Sequence, residues 1–114
     1  MITIHNNEEP LYKLAKEIHE NAVAHGWWNE ERNLLEIVAL CHSELSEAIE
    51  EYRAGRPMVW TNEGGKPEGI AVEMADCLIR ILDWFGREGL DVDEIVRQKM
   101  AYNRGRPYKH GKRC

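Results

Sequence analysis

Hydrophobic residues recur every three or four positions along most of the chain, which is the period of amphipathic α-helices. A segment rich in glycine and proline, residues 55–69, separates two of these runs. The pattern predicts four helices, at residues 8–25, 30–54, 67–87 and 91–105. No alternating run of strand length appears in the sequence, so we expect an all-α fold with a four-helix, bundle-like protomer.

Residues typical of helix ends stand at the borders of these segments. Gly26 follows the first helical run and Gly55 follows the second, where glycine stops a helix. Asn29 is the predicted N-cap of the second helix, because its side chain can accept a hydrogen bond from the first turn. Asp91, with Glu94 three residues later, has the spacing of a capping box at the start of the fourth helix.

The composition is that of a single globular domain. The 114 residues are 43% hydrophobic and 31% charged, which is ordinary for such a domain. Residues 1–10 lack the features of a signal peptide, and no apolar run approaches the ~18 residues of a membrane span. Three cysteines without CxxC spacing fit reduced thiols. We therefore expect one domain over residues 1–114, a cytoplasmic location and no membrane partner.

Charge is distributed unevenly along the chain. Residues 97–114 contain seven Lys or Arg and no acid, so the remaining 96 residues hold 8 basic and all 20 acidic side chains. This contrast predicts an acidic body with a basic C-terminal tail at about residues 104–114, and it suggests cations and phosphates meeting at one place. The alternative is a solvated body with a solvated tail. The acidic body argues against nucleic acid as a partner.

The acidic residues of the second helix do not share one face. At about 100° per residue, Glu44, Glu47 and Glu51 fall on the flank of the apolar stripe, whereas Glu50 points away from it. We expect the first three to look into the bundle and Glu50 to be solvated. The apolar stripe itself, predicted to be the core face, consists of Leu34, Val38, Cys41, Leu45, Ala48, Ile49 and Tyr52.

The third helix repeats this arrangement with Glu73 and Asp76. A separation of three residues places such a pair ~5–6 Å apart on one helix face. The alternative is surface charge, neutralised within the helix by the pairs Asp76–Arg80 and Asp83–Arg87. The predicted core stripe of this helix consists of Ile70, Met74, Cys77, Leu78, Ile81, Trp84 and Phe85.

Four carboxylates that converge in a bundle need a compensating cation. Without one, burial and mutual repulsion would raise their pKa values. Mg²⁺ prefers oxygen ligands and shares its coordination with substrate phosphates, so it fits this set. Di-iron bundles use Glu-x-x-His on two helices. That motif is absent from the sequence, which argues against a redox di-iron site.

Two acidic motifs and three longer segments resemble a known family. ELSE at residues 44–47 and EMAD at residues 73–76 are 25 residues apart. They resemble the ExxE…ExxD signature of the MazG-like, all-α nucleoside triphosphate pyrophosphohydrolases. The segments ERNLLEIVALCHSELSEAIEEYRAGRP, KPEGIAVEMADCLIRILDW and KMAYNRGRPYKHGK resemble one small, single-domain branch of that superfamily. The resemblance covers roughly residues 26–112.

The resemblance implies an activity and a metal site. Members of the family use Mg²⁺ to cleave a nucleoside triphosphate between its α and β phosphates, which gives a monophosphate and pyrophosphate. Carried over by position, the metal ligands would be Glu44, Glu47, Glu73 and Asp76, with Mn²⁺ as an alternative ion. Glu47 is our choice for the residue that orients or deprotonates the attacking water. This chemistry depends on charge neutralisation and positioning more than on a protein nucleophile.

The fourth helix offers groups that suit a nucleotide. Lys99, Tyr102, Asn103 and Arg106 lie on one helical face. The resemblance implies that Lys99, Asn103 and Arg106 contact the nucleotide, and Tyr102 can hydrogen-bond sugar or phosphate. The alternative is a helix end whose cations only favour the helix dipole.

Tryptophans are candidates for contact with the base. Trp28 is the one we assign to substrate binding, with Trp27 and Trp60 as further candidates, because an aromatic face can stack on a base. The alternative is that all three bury area in a core or a subunit interface.

The resemblance also implies a homodimer or a homotetramer built as a dimer of dimers, which would cover the acidic flank. The overall prediction is a Mg²⁺-dependent nucleotide pyrophosphohydrolase, with a role in removing unwanted nucleotides. Three alternatives stay open: a non-catalytic helical module that binds nucleotide or a partner, a phosphoribosyl-ATP pyrophosphohydrolase, and a nucleic-acid binder that uses the basic tail.

Overall fold

The structure is a computed structural model that describes residues 9–108. A short antiparallel hairpin of β1 (Trp60–Thr61) and β2 (Pro67–Glu68) lies in the connection between the second and third helices. The prediction of a four-helix, all-α fold is confirmed for the described residues, and the hairpin is an addition that the sequence pattern did not reveal. The helices are α1 (Pro10–Ala24), α2 (Leu34–Arg53), α3 (Ile70–Glu88) and α4 (Val92–Arg104).

Capping residues explain where α2 and α4 begin. Asn33, rather than the predicted Asn29, caps α2: its side-chain oxygen accepts a hydrogen bond from the Glu36 backbone N–H (2.9 Å), and the Glu36 carboxylate accepts one from the Asn33 N–H (3.3 Å). This is a complete capping box, so α2 starts four residues later than predicted. Asp91 caps α4 as predicted, accepting from the Glu94 N–H at 3.1 Å.

The apolar core lies where α1, α3 and the start of α4 meet. Ala15, Leu82 and Val92 are its buried members, and Leu11, Ile18 and Phe85 pack against them. Among the described residues, no large side chain is completely buried. The core of the single chain is therefore small for a chain of this length.

Two specific contacts fix α1 against its neighbours. The carboxylate of Asp93 accepts hydrogen bonds from the backbone N–H groups of Leu11 (3.2 Å) and Tyr12 (2.7 Å), and so caps the first turn of α1 from α4. Gly86 of α3 lies so close to α1 that a Cβ atom there would stand 2.5 Å from the carbonyl oxygen of Ala15. The first contact requires a carboxylate at position 93, and the second requires a residue without a Cβ atom at position 86.

The predicted core stripes of α2 and α3 are only partly buried: Ala48 and Cys77 are buried as predicted, but most of the large apolar members are exposed, which corrects that part of the assignment. In α2, the exposed fraction rises from 39% at Leu45 to 75% at Tyr52. The inward face of α2 carries Ala48 of the predicted stripe together with Ile37 and Glu44, which lie outside it. The helical period identifies an apolar stripe, but it does not tell whether that stripe packs within the chain or against another molecule. The exposed members of the two stripes are Leu34, Val38, Leu45, Ile49 and Tyr52 of α2 with Met74, Leu78 and Ile81 of α3.

The protomer is open in shape. Its radius of gyration is 17.1 Å, against about 13 Å for a compact domain of 100 residues. The fourth helix contributes to this openness, because α4 packs mainly against α1. Within residues 9–108, no helix is long and apolar enough to cross a membrane.

Candidate metal centre

Three carboxylates from α2 and α3 converge on one point. Each of Glu44, Glu47 and Glu73 offers an oxygen atom, and these oxygens lie within 4.8 Å of one another. Glu44 and Glu47 are one helical turn apart on α2, and Glu73 belongs to the first turn of α3. Among residues 9–108, this is the one group of three or more potential metal ligands.

A tight turn places Glu73 at the start of α3. Gly69 precedes the helix with φ 120°, a conformation that side chains rarely adopt, and its carbonyl oxygen accepts the Glu73 backbone N–H at 3.0 Å. A Cβ atom at Gly69 would also collide with the carbonyl group of Met58. Glycine is therefore required for the turn that aims Glu73 at α2.

Burial and like charge make this cluster electrostatically unfavourable without a cation. Glu44 is 7% exposed and Glu73 is 9% exposed, whereas Glu47 is open to solvent. Burial, followed by the negative charges of Glu47, Asp76 and Glu44, raises the pKa of Glu73 from 4.5 to about 7. A bound divalent cation would remove this repulsion, so the donor set and its charge both fit one.

Asp76, the fourth predicted ligand, lies beside the cluster. It lines the same pocket as Glu44, but it is not one of the three carboxylates within 4.8 Å. Burial and the Glu44 charge raise the pKa of Asp76, while Arg80 and Lys66 lower it. The structure thus brings three of the four predicted ligands together and places Asp76 next to them.

Arg80 contacts the cluster directly. Its Nε atom donates a hydrogen bond of 2.6 Å to the Glu44 carboxylate, and its guanidinium lies 4.8 Å from the centre of the Trp27 ring. The alternative interpretation, in which Arg80 pairs with Asp76 within α3, does not describe its hydrogen bond, because Arg80 reaches across to Glu44 of α2. Sequence spacing within one helix cannot reveal such a cross-helix partner.

Of the other two glutamates near the end of α2, Glu50 lies where it was predicted and Glu51 does not. Glu50 is solvated, as predicted, and it also pairs with Arg53 at 3.2 Å. Glu51 does not look into the cluster. Its carboxylate accepts a hydrogen bond from the Trp60 indole (3.0 Å) and pairs with Arg56 (3.3 Å), so it holds the hairpin against α2.

An open pocket of about 680 Å³ adjoins the cluster. The acidic side is formed by Glu44 and Asp76, and Arg80 and Trp27 form another part of the wall. The rest is contributed mainly by α1. Its volume is within the ~300–1,000 Å³ range of small-molecule sites.

Trp28 lies in a hydrogen-bonded network behind this pocket. Its indole N–H donates to both carboxylate oxygens of the buried Asp83 (3.0 and 3.1 Å), which also contacts His19 Nδ1 at 2.8 Å. Arg87 lies over the Trp28 ring, 4.8 Å from its centre, and does not form the pair with Asp83 that the alternative interpretation named. The structure thus places the neighbouring Trp27 at the pocket and Trp28 behind it. The sequence alone does not show which of the two adjacent tryptophans lines the pocket.

The predicted nucleotide-binding residues of α4 form a cluster of their own. Lys99 and Arg106 lie over the Tyr102 ring, at 5.0 and 5.7 Å from its centre. The side-chain oxygen of Asn103 is buried, with no hydrogen-bond partner among residues 9–108. These four side chains do not line the pocket beside the carboxylates within one protomer. Of the predicted basic tail, positions 109–114 lie outside the described residues.

Comparison of the chain with protein-family models, with curated proteins and with solved structures found no match. The case for a function therefore rests on the chemistry of the residues: an all-oxygen cluster, a pocket of small-molecule size beside it, and an arginine between the two.

Proposed function

We propose that the protein hydrolyses a (deoxy)nucleoside triphosphate between the α and β phosphates, with Mg²⁺ or Mn²⁺, to give a monophosphate and pyrophosphate. The observation that carries this proposal is the convergence of Glu44, Glu47 and Glu73 within 4.8 Å beside the pocket. The motif resemblance supplies the reaction class. A role in removing unwanted nucleotides is part of the proposal.

The carboxylates fit a divalent cation in number and type. Glu44, Glu47 and Glu73 would hold it, with Asp76 available beside Glu44. When bound, such an ion supplies charge neutralisation at the phosphate oxygens. The two buried glutamates fix the position of the site, because their surroundings restrict their side chains.

Glu47 is the proposed general base. It is the exposed member of the three, so solvent water reaches it, and its side chain is in hydrogen-bond contact with Glu73. In this role Glu47 orients a water molecule toward the α phosphorus and accepts its proton. No Ser or Cys nucleophile is required by this reaction.

The pocket beside the cluster provides space for the nucleoside. Trp27 lies in its wall, with the guanidinium groups of Arg32 and Arg80 at 4.1 and 4.8 Å from the centre of its ring, and α1 contributes apolar and polar side chains. With the phosphates directed at the carboxylates, the base would enter this pocket and contact Trp27. The predicted role of Trp28 then becomes indirect, through support of its neighbour.

The exposed apolar stripes of α2 and α3 support a homodimer or a dimer of dimers. These stripes include the exposed side chains of Leu45, Ile49, Met74 and Leu78. Leaving such an apolar surface in water costs free energy, and the same apolar surface on a second copy of the chain could cover it. Assembly through them would cover the open face of α2 and α3. It would also allow α4 of one copy to bring Lys99 and its neighbours to the site of another.

A substrate panel tests the proposal. Purified protein is incubated with each (d)NTP and with phosphoribosyl-ATP in the presence of Mg²⁺ or Mn²⁺, and phosphate is measured with and without added inorganic pyrophosphatase. We expect signal only when pyrophosphatase is present, loss of signal with EDTA, and a decrease of about 10²-fold or more for Glu47→Gln.

Glu50→Gln is the matched control for this panel, since Glu50 is an exposed glutamate on the same helix. It should leave turnover unchanged. A lack of turnover with every substrate and both metals would leave a non-catalytic binding module as the better account. Turnover confined to phosphoribosyl-ATP would reassign the substrate while preserving the site.

A further inference from the structure

The inference concerns Arg80, which lies between the carboxylate cluster and the pocket. We propose that Arg80 binds a phosphate group of the nucleotide, and that its contact with Glu44 is the arrangement adopted when cation and nucleotide are absent. This rests on the proposed function and adds a residue that the motif resemblance does not assign.

The charges around the pocket make Arg80 unusual. Among the described residues that line it, four are acidic and Arg80 is the one Lys or Arg; the acidic ones are Glu17, Glu44, Asp76 and Asp83. An anionic ligand entering here would be repelled by most of the wall. Arg80 is the side chain whose charge can offset that repulsion once a cation neutralises the carboxylates.

The hydrogen bonds of Arg80 leave donors available on the pocket side. Within residues 9–108, only its Nε atom donates, to Glu44. The two terminal nitrogens, Nη1 and Nη2, carry four N–H groups in a planar fork that matches phosphate oxygens. The side chain is 26% exposed, so a ligand in the pocket can reach it.

Trp27 keeps the guanidinium at the mouth of the pocket. The Arg80 guanidinium lies 4.8 Å from the ring centre, within the range of a cation–π contact. This contact is separate from the hydrogen bond that Nε makes to Glu44. Arg80 is therefore already oriented before the nucleotide arrives, which reduces the entropy lost on binding.

The same contact makes Arg80 a competitor of the cation. The guanidinium neutralises Glu44 at 2.6 Å, and a divalent cation on that carboxylate would be repelled by it. Removing the charge of Arg80 should therefore strengthen metal binding and weaken phosphate binding. A residue that only held Glu44 in position would, when removed, weaken both.

The test uses Arg80→Gln and the control Arg87→Gln. Arg87 is on the same helix and also stacks on a tryptophan, Trp28, but it makes no contact with the cluster. Calorimetric titrations use Mn²⁺ alone, and then, with Mn²⁺ present, the monophosphate product of the best substrate and its parent nucleoside.

For Arg80→Gln we expect Mn²⁺ to bind several-fold more tightly. The monophosphate should bind about 10- to 100-fold more weakly, the size expected for a hydrogen bond to a charged group. The nucleoside, which has no phosphate, should bind as it does to the wild type. Arg87→Gln should change none of the three.

Other results overturn the proposal. Weaker Mn²⁺ binding in Arg80→Gln means that Arg80 only supports Glu44. An equal loss for nucleoside and monophosphate means that Arg80 contacts the base or sugar. If the wild type binds Mn²⁺ and turns over substrate, and Arg80→Gln behaves identically, the inference about Arg80 is refuted while the proposed function stands. Absence of Mn²⁺ binding by the wild type would refute the proposed function itself.

Arg80→Lys keeps the test valid if the glutamine variant fails to fold. Lysine retains the positive charge but not the planar fork. It should leave Mn²⁺ affinity close to that of the wild type and reduce monophosphate affinity less than glutamine does. A lysine variant with wild-type affinity for both, or with weaker Mn²⁺ binding, would contradict the assignment.

Discussion

Replacement of Glu73 by glutamine changes one charge in the cluster and almost nothing in shape. Glu73 is buried at the start of α3, with Glu47, Asp76 and Glu44 as its acidic neighbours. Glutamine is similar in shape to the protonated form of the side chain. The substitution therefore removes the electrostatic penalty of the metal-free cluster and, at the same time, one of its potential ligands.

The size of the effect follows from the pKa of Glu73, which burial and its acidic neighbours raise from 4.5 to about 7. Because the folded-state pKa is the higher one, the folded protein binds more protons than the unfolded chain between these values. Its stability is therefore lost as the pH rises from 4.5 through 7. At about 1.36 kcal/mol per pKa unit, the loss at pH 8 is at most about 3 kcal/mol.

Urea denaturation at a fixed protomer concentration measures this effect, at pH 5 and pH 8 in EDTA. We expect Glu73→Gln to raise the free energy of unfolding by up to about 3 kcal/mol at pH 8 but by less than about 1 kcal/mol at pH 5. A fixed concentration of Mg²⁺ that saturates the wild type should stabilise it more than the variant, which binds the cation more weakly.

The control for this experiment is Glu50→Gln, whose carboxylate is solvated and paired with Arg53. It should change stability by less than about 0.5 kcal/mol at either pH. The reasoning is refuted if Glu73→Gln destabilises the metal-free protein by the same amount at both pH values. That result would mean that the Glu73 carboxylate is stabilised by its surroundings and not repelled by them.

Other substitutions test the packing on which the site depends. Asp93→Ala should lower the free energy of unfolding in urea by about 1–3 kcal/mol, because two N–H groups of α1 lose their acceptor; an unchanged midpoint would contradict this. Gly86→Ala should lower the thermal midpoint, since the new Cβ would meet the Ala15 carbonyl oxygen at 2.5 Å, and a rise would show that α1 does not approach α3 so closely. Ile49→Asp should reduce the mass measured by light scattering to that of a protomer; an unchanged oligomer would show that assembly uses another surface.

The local pattern of the sequence accounts for much of the fold and part of the site. The helical period and the Asp91 cap gave four helices because both depend only on neighbouring residues. The i, i+3 spacing of Glu44 and Glu47 placed them on one face for the same reason. These features need no knowledge of how the helices pack against each other.

Features that depend on tertiary packing could not be obtained in this way. Leu45 and Tyr52 belong to an apolar stripe that the pattern assigned to the core, yet both side chains are exposed in the single chain. The spacing of α3 offered Arg80 a partner on its own helix, Asp76, but Arg80 donates to Glu44 on α2. In both cases the sequence identifies the chemistry of a surface and leaves its partner undetermined.

Direct titration of the protein with Mn²⁺ tests the central claim, that the inward carboxylates of α2 and α3 form a divalent-cation site. Calorimetry should detect binding to the wild type and to Glu50→Gln with equal affinity, and a loss of at least about tenfold for Glu44→Gln, Glu47→Gln and Glu73→Gln. Absence of binding to the wild type, or equal binding to all four variants, would contradict the account.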